Sequence, residues 1–211
     1  MNNIEKQYQT SQNLNTRISI HDKYSTNKQP FGNWILSHYE IRPGMKILEL
    51  GCGTGSMWKE NLHLLHGSEL TLTDFSHGML ETAKQNICAE NVNFAQVDIQ
   101  DIPYPDGAFD AVIANMMLYH VPDVQKALWE VSRVLKKGGH LIAPTFIYRD
   151  QAHKTAFSIR LMEKFGFVTF HKWTEAEYVS FVRKHGFPDA LFRCISSKPM
   201  QECVITAQKE G

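Results

Sequence analysis

Apolar residues in this chain switch repeatedly between strand-like and helix-like spacing. Met45, Ile47, Leu48 and Leu50 form a short apolar strand that runs into three glycines at alternate positions, Gly51, Gly53 and Gly55. Glu69–Asp74 alternates and is rich in β-formers, so a second strand is expected, ending on an acid. Ser76 then reads as the N-cap of a helix carrying Met79, Leu80, Ala83 and Ile87 on one face. Val92–Val97 is a third strand. The nearly continuous apolar run Phe109–Asn115 suits a central strand buried on both faces. Pro122 opens the clearest helix, with Val124, Ala127, Leu128, Val131, Val134 and Leu135 at helical spacing, and Gly138-Gly139 is expected to stop it. His140–Ile147 follows as a fifth strand.

Beyond Ile147 the pattern predicts helices over Ala152–Phe165 and Thr174–His185, the second opening with a Thr-x-x-Glu capping box (Thr174, Glu177). Short strands near 190–197 and 200–208, with Pro199 between them, suit an antiparallel pair. Strand–helix alternation through residue 147 argues for an α/β fold. The expectation is a doubly wound, mostly parallel seven-stranded sheet with a C-terminal antiparallel pair. One domain is expected over 1–211, with a leader at 1–40, a core at 45–147 and closing helices and strands at 148–211.

Bulk properties narrow the function classes. At 211 residues the chain can bury a sizeable core. With 22 basic and 22 acidic residues it carries no electrostatic footprint for nucleic acid. The N-terminus Met-Asn-Asn-Ile-Glu-Lys-Gln has no apolar core of a secretion signal, and the apolar stretch Phe109–Val121 is too short to span a bilayer. Four scattered cysteines, without a C-x-x-C pair, read as reduced thiols of a cytoplasmic protein. His63 and His66 lie three apart, but a third ligand is missing, so no metal site is expected.

The glycine loop carries the most chemistry. Glycine accepts positive φ and lets a ligand lie against the backbone, and such a loop between strand and helix receives nucleotide-like ligands at the carboxyl edge of a parallel sheet. The dinucleotide fingerprint does not fit, because its third glycine falls on Ser56 and Glu49 is no part of it. Asp74 stands roughly 20 residues past the loop, where a carboxylate can accept from both hydroxyls of a ribose; the alternative is that it only caps the following helix.

The string Glu49-Leu50-Gly51-Cys52-Gly53-Thr54-Gly55 resembles motif I of the class I S-adenosylmethionine (SAM)-dependent methyltransferases. Ala114–Asp123 resembles the segment after the fourth strand in the small-molecule, type 11 group, and Arg133–Gly139 its turn into the fifth strand. The matching elements cover roughly residues 45–147. The resemblance implies a Rossmann-like fold and SAM as cofactor, with S-adenosylhomocysteine as product. It implies cofactor contacts from Glu49, Gly51, Cys52, Gly53, Asp74, Phe75, Met79 and Asn115, with Asp98 and Ile99 on the adenine and Asp101 a rival to Asp98. Tyr8 and Arg17, in a leader expected to fold over the site as a lid, fit the SAM carboxylate. No Pro-Pro-Tyr or Pro-Pro-Trp follows Asn115, so the signature for methylating DNA bases is absent, and no acidic triplet suggests a catalytic magnesium.

Methyl transfer is an in-line displacement in which the protein supplies positioning and electrostatics. A base is needed only if the acceptor must lose a proton. His120 is the candidate, against the alternative of a buried histidine fixing its loop. The expected partner is a small-molecule acceptor, with no nucleic acid and no membrane. Phe157, Met162, Phe165, Phe167, Phe170 and Trp173 either wall an apolar acceptor pocket or pack on the sheet. A non-enzymatic SAM-binding protein and a protein methyltransferase stand as alternatives.

Overall fold

The computed structural model describes residues 29–155, Lys164, 169–195 and 201–210. A short helix α1 (Phe31–Leu36) precedes β1 (Lys46–Leu50), α2 (Ser56–Lys59), β2 (Glu69–Asp74), α3 (His77–Asn86), β3 (Val92–Gln96) and β4 (Phe109–Ala114). Then come α4 (Val124–Val134), β5 (Leu135–Ile147), α5 (Glu175–Lys184), β6 (Leu191–Ile195) and β7 (Gln201–Gln208). The seven strands lie in the order β3-β2-β1-β4-β5-β7-β6. β1 to β5 are parallel, while β7 pairs antiparallel with β5 and β6. The chain winds outward from β1 in one direction and from β4 in the other, so the crevice between β1 and β4 is the switch point where such sheets bind ligands.

The central strands are mostly apolar because both faces are covered. Val112 and Ala114 of β4 join Ala127, Leu128 and Val131 of α4 and Tyr178 of α5 on one side. Ala111 and Ile113 join Ile35, Trp58, Leu80 and Ala83 on the other. The Ser76 hydroxyl accepts from the Met79 N–H and starts α3. On α5, the Glu177 carboxylate reaches back to the N–H and hydroxyl of Thr174.

Two expectations need correction, and a third falls mostly outside the described residues. Gly138-Gly139 does not end α4: that helix stops at Val134 and β5 begins at once at Leu135. The glycines lie inside β5, where its register with β4 slips between the Phe109–Leu135 and Ala111–His140 pairs. Gly138 takes a φ of 72°, and a Cβ on Gly139 would come 2.9 Å from the Lys136 carbonyl oxygen. They form a bulge, which a helix-then-glycine pattern mimics in sequence. Pro122 lies just before the helix, with Asp123 as the N-cap accepting from the Lys126 N–H. The expected helix at 152–165 begins with a 3-10 turn, His153–Thr155, and most of the rest lies outside the described residues.

Candidate cofactor and acceptor site

The loop after β1 is held open by backbone conformation. Gly51, Gly53 and Gly55 have φ of 75°, 55° and 73°, which a side chain would strain. A Cβ on Gly51 would also lie 2.9 Å from both Cβ and Cγ of Met117, so the loop packs directly against the segment after β4. The Cys52 N–H donates to the Thr73 carbonyl at 2.8 Å, tying the loop to β2. The Cys52 side chain turns into the core, and burial pushes its thiol pKa up.

Asp74 ends β2 and joins two elements. Its Oδ2 accepts from the Gly53 N–H at 2.9 Å and its Oδ1 from the Ser76 N–H at 2.8 Å. Burial raises its pKa, and these two donors oppose that rise. The side chain stays partly exposed, and each oxygen of the ionised group keeps lone-pair capacity for a further donor. Next to it Phe75 is 38% exposed, an uncovered ring at the sheet edge. Met79 is buried on α3.

At the end of β3, Asp98 is partly buried. Its Oδ1 accepts from the Gln100 N–H at 2.8 Å, and the Gln100 side-chain amide donates to both its oxygens. The Gln100 Oε1 in turn accepts from the Asp123 N–H at 3.1 Å. Ile99 is buried, and the rival Asp101 is exposed. The loop is clamped to α4 by Arg133, which donates to the Ile102 and Tyr104 carbonyls and to Asp106 and Glu130.

Glu49 lies beneath the loop, 0% exposed. Its Oε2 accepts from the Trp58 indole N–H at 2.5 Å and its Oε1 from the Asn115 amide at 2.7 Å. Burial raises its pKa to about 7 against these two bonds, with the Asp74 charge adding to the rise. Any influence of Glu49 on a ligand passes through its neighbours, Asn115 above all.

After β4 the backbone turns sharply. Met116 has a φ of 51°, rare for a non-glycine, and its N–H donates to the Pro144 carbonyl. The 3-10 turn Leu118–His120 follows, with Tyr119 and His120 buried and their rings 4.4 Å apart. The segment before α5 is stitched onto this turn. The Tyr119 carbonyl accepts from the Phe170 and His171 N–H groups, and the His171 Nε2–H donates to the Val121 carbonyl at 2.9 Å. His171 stacks on Trp173 at 5.0 Å and 4°, and Phe146 of β5 lies 5.9 Å from Tyr119. Two ring pairs, Tyr119 with Phe146 and His171 with Trp173, therefore lie near the ends of β4 and β5, with Tyr119 and Trp173 themselves buried in the core.

Of the expected site residues, those at 49–53, 74–75, 98–99 and 115 lie in order along one sheet edge, with His120 beyond them. Tyr8 and Arg17 lie outside the described residues, as does most of the 157–167 aromatic stretch. Among the described residues no three His, Cys, Asp or Glu side chains form a metal cluster, and none of the four cysteines is in a disulfide. No helix of the described residues is long and apolar enough to cross a membrane. Sequence reasoning passed over Trp58 and Gln100. Only Gln100 left a trace, an amide two residues past an acid, which invites the Asx-type turn seen here.

A glycine cradle at the switch point, with acids at the ends of β2 and β3 on one side of it, defines a nucleotide-cofactor protein of the doubly wound class. Comparison with known proteins identifies which. The methyltransferase domain family matches residues 48–143. The demethylmenaquinone methyltransferase of Staphylococcus aureus is 37% identical over 143 residues, covering 66% of this chain, and the chain spans 56% of that protein's length. The ubiquinone/menaquinone biosynthesis C-methyltransferase UbiE of Shewanella sediminis is 31% identical over 180 residues, 81% of this chain and 72% of that protein. Among solved structures, the [4+2]-cyclase SpnF superposes with a TM-score of 0.79 at 19% identity, over 98% of this chain and 95% of its own, which speaks for the fold alone. The chain belongs to the class I SAM-dependent methyltransferases.

The residues present fit SAM. Asp74 has lone-pair capacity for a ribose diol, Asp98 stands one strand further out for an adenine amino group, and the cradle at Gly51 has no room for a side chain.

Proposed function

We propose that this protein transfers a methyl group from SAM to a ring carbon of a small hydroxylated aromatic acceptor of the hydroquinone class. The observation that supports the acceptor class is the two ring pairs at the ends of β4 and β5, Tyr119 with Phe146 and His171 with Trp173, taken here as the wall that receives the acceptor. An aromatic ring packs well on such a wall. The relatives named for quinone biosynthesis and for C-methylation point to the same chemistry.

SAM supplies an electrophilic methyl on its sulfonium. The chain supplies the rest. Asp74 and Asp98 hold the adenosine end, Asn115 and the loop the methionine end, and the aromatic wall orients the acceptor face. His120 takes the proton of the ring hydroxyl, which raises electron density on the neighbouring ring carbon, the nucleophile. As that carbon takes the methyl, the sulfonium C–S bond breaks and S-adenosylhomocysteine leaves. The ring carbon then loses its proton to solvent while the ring oxygen recovers one from His120. In this reading the chain works as one domain, in the cytoplasm, on a diffusing acceptor.

The test is to incubate the protein with SAM and demethylated hydroquinones of short side chain, kept reduced. S-adenosylhomocysteine release and the site of methylation are then measured by mass spectrometry and NMR. Release above the acceptor-free rate, with the methyl on carbon, is expected. Release no faster than without acceptor, or a methyl found on oxygen, overturns the acceptor class.

A further inference from the structure

We propose that Glu49 is a positioning residue: its buried carboxylate fixes the side-chain amide of Asn115 so that Oδ1, and not the NH2 group, faces the ammonium of the methyl donor. This rests on the carboxyl edge of the sheet being the SAM site.

The geometry leaves little choice of polarity. The Trp58 indole can only donate, and it holds Oε2 of Glu49. An ionised carboxylate can only accept, so Oε1 faces the Asn115 NH2 group at 2.7 Å. The second hydrogen of that group points toward the Met57 sulfur at 3.8 Å. Asn115 Oδ1 accepts from no described residue, and Asn115 is only partly buried, so the oxygen is available to a ligand.

The sheet order says which part of the ligand reaches it. Asp98 at the end of β3 and Asp74 at the end of β2 take adenine and ribose, so the far end of the molecule lies over β1 and β4. Asn115 is the first residue past β4, tied to the end of β1 by its N–H on the Leu50 carbonyl at 3.0 Å. An amide oxygen there accepts from an ammonium, whereas an NH2 group would oppose it.

In Glu49→Gln the indole still requires an acceptor, so the new NH2 group must face Asn115. The Asn115 amide then turns over and presents NH2 to the ligand. The shape is unchanged, and only the polarity reverses.

Calorimetric titration at pH 8 with S-adenosylhomocysteine and with 5′-methylthioadenosine, which lacks the amino-acid end, tests this. In Glu49→Gln, S-adenosylhomocysteine affinity should fall about 10- to 100-fold, the size of one lost charge-assisted hydrogen bond. Methylthioadenosine should stay within about 2-fold. Asn115→Ala should show the same selective loss, and Glu49→Gln added to it should change nothing further. Equal losses for both ligands, or an unchanged S-adenosylhomocysteine affinity, overturn the inference. If Glu49→Gln does not fold, Asn115→Ala decides alone: retention of full S-adenosylhomocysteine affinity rules the role out. A wild-type protein that binds neither ligand overturns the cofactor reading itself, and the inference with it.

Discussion

The two ends of the carboxyl edge are built by different means. Over β1 to β3 the site consists of backbone and acids: positive-φ glycines, and carboxylates that already accept from Gly53, Ser76 and Gln100. Past β4 and β5 it consists of rings joined by contacts between distant segments, Tyr119 with Phe170 and Val121 with His171. A shared cofactor demands a fixed set of donors and acceptors, and short local motifs can supply it. An acceptor site needs a shaped surface, which many side-chain sets can supply. The first end should therefore respond to substitution as cofactor loss, and the second as loss of turnover with the cofactor still bound.

The largest effect should come from Gly51→Ala. The new methyl would meet Cβ and Cγ of Met117 at 2.9 Å, atoms too near the backbone to swing aside, at a φ of 75°. Strain on the order of 1–3 kcal/mol comes with displacement of the segment after β4. Binding of S-adenosylhomocysteine should become undetectable by calorimetry, and the melting midpoint should fall. At the other end Phe146→Leu should leave that affinity unchanged and raise only the acceptor KM. A Gly51→Ala protein that binds normally would mean that the cradle yields and the contrast between the ends is false.

His120 tests the acceptor end by rate. In the proposed reading, Glu, Asp and Asn side chains serve the cofactor, whereas here an imidazole stands among rings, 4.4 Å from Tyr119. His120→Gln should lower kcat by about 10²–10⁴-fold, with S-adenosylhomocysteine affinity unchanged. Full turnover in that variant would leave His120 as a packing residue of its loop.

The same contrast explains what the sequence disclosed. The sheet-edge positions of loop 49–55, Asp74 and Asp98 were legible because each follows a strand marked by its own local pattern. The antiparallel C-terminal pair was legible from two β-rich runs flanking Pro199. Trp173 was a candidate, but the joining of Tyr119, Phe146 and His171 was not legible, since its contacts link residues up to 52 positions apart, such as Tyr119 and His171. Gly138-Gly139 misled for a physical reason: positive φ serves a β-bulge as well as a helix end. Trp58 gave no sign, because its bond to Glu49 depends on how α2 folds back beneath β1.

A middle-sized effect separates ribose from methionine within the cofactor end. Asp74→Asn replaces one acceptor by a donor, opposing either the Gly53 or the Ser76 N–H as well as a ribose hydroxyl. Affinity should fall about 10- to 100-fold for S-adenosylhomocysteine and methylthioadenosine alike. Asp98→Asn should cost less, since only one amino group depends on it. A loss confined to S-adenosylhomocysteine would place Asp74 at the wrong end of the ligand.

The smallest effect follows from the Glu49 carboxyl, which burial lifts from the ordinary glutamate value of 4.5 to about 7. The charged group nearest in effect is Asp74, which adds to the rise; the Cys52 thiol faces Glu49 too but is pushed further from ionisation, and Trp58 and Asn115 do not titrate. A folded-state pKa above the unfolded one means that the native protein binds the proton more tightly. Its contribution to stability is therefore fully present below pH 4.5 and is lost as pH rises toward 7, then stays level. Referred to Glu49→Gln, which has no such proton to bind, wild-type stability should decline across that window by a few kcal/mol at most, since each tenfold gain in proton affinity is worth about 1.4 kcal/mol. Ligand affinity should run the other way. A protonated Oε1 donates to Asn115 and turns its amide over, so between pH 8 and pH 6 S-adenosylhomocysteine should bind about tenfold more weakly, while methylthioadenosine holds steady. Parallel pH profiles for the two ligands would show that Glu49 titrates without reaching the methionine end, and the polarity of Asn115 would then be set by something other than the carboxylate beneath it.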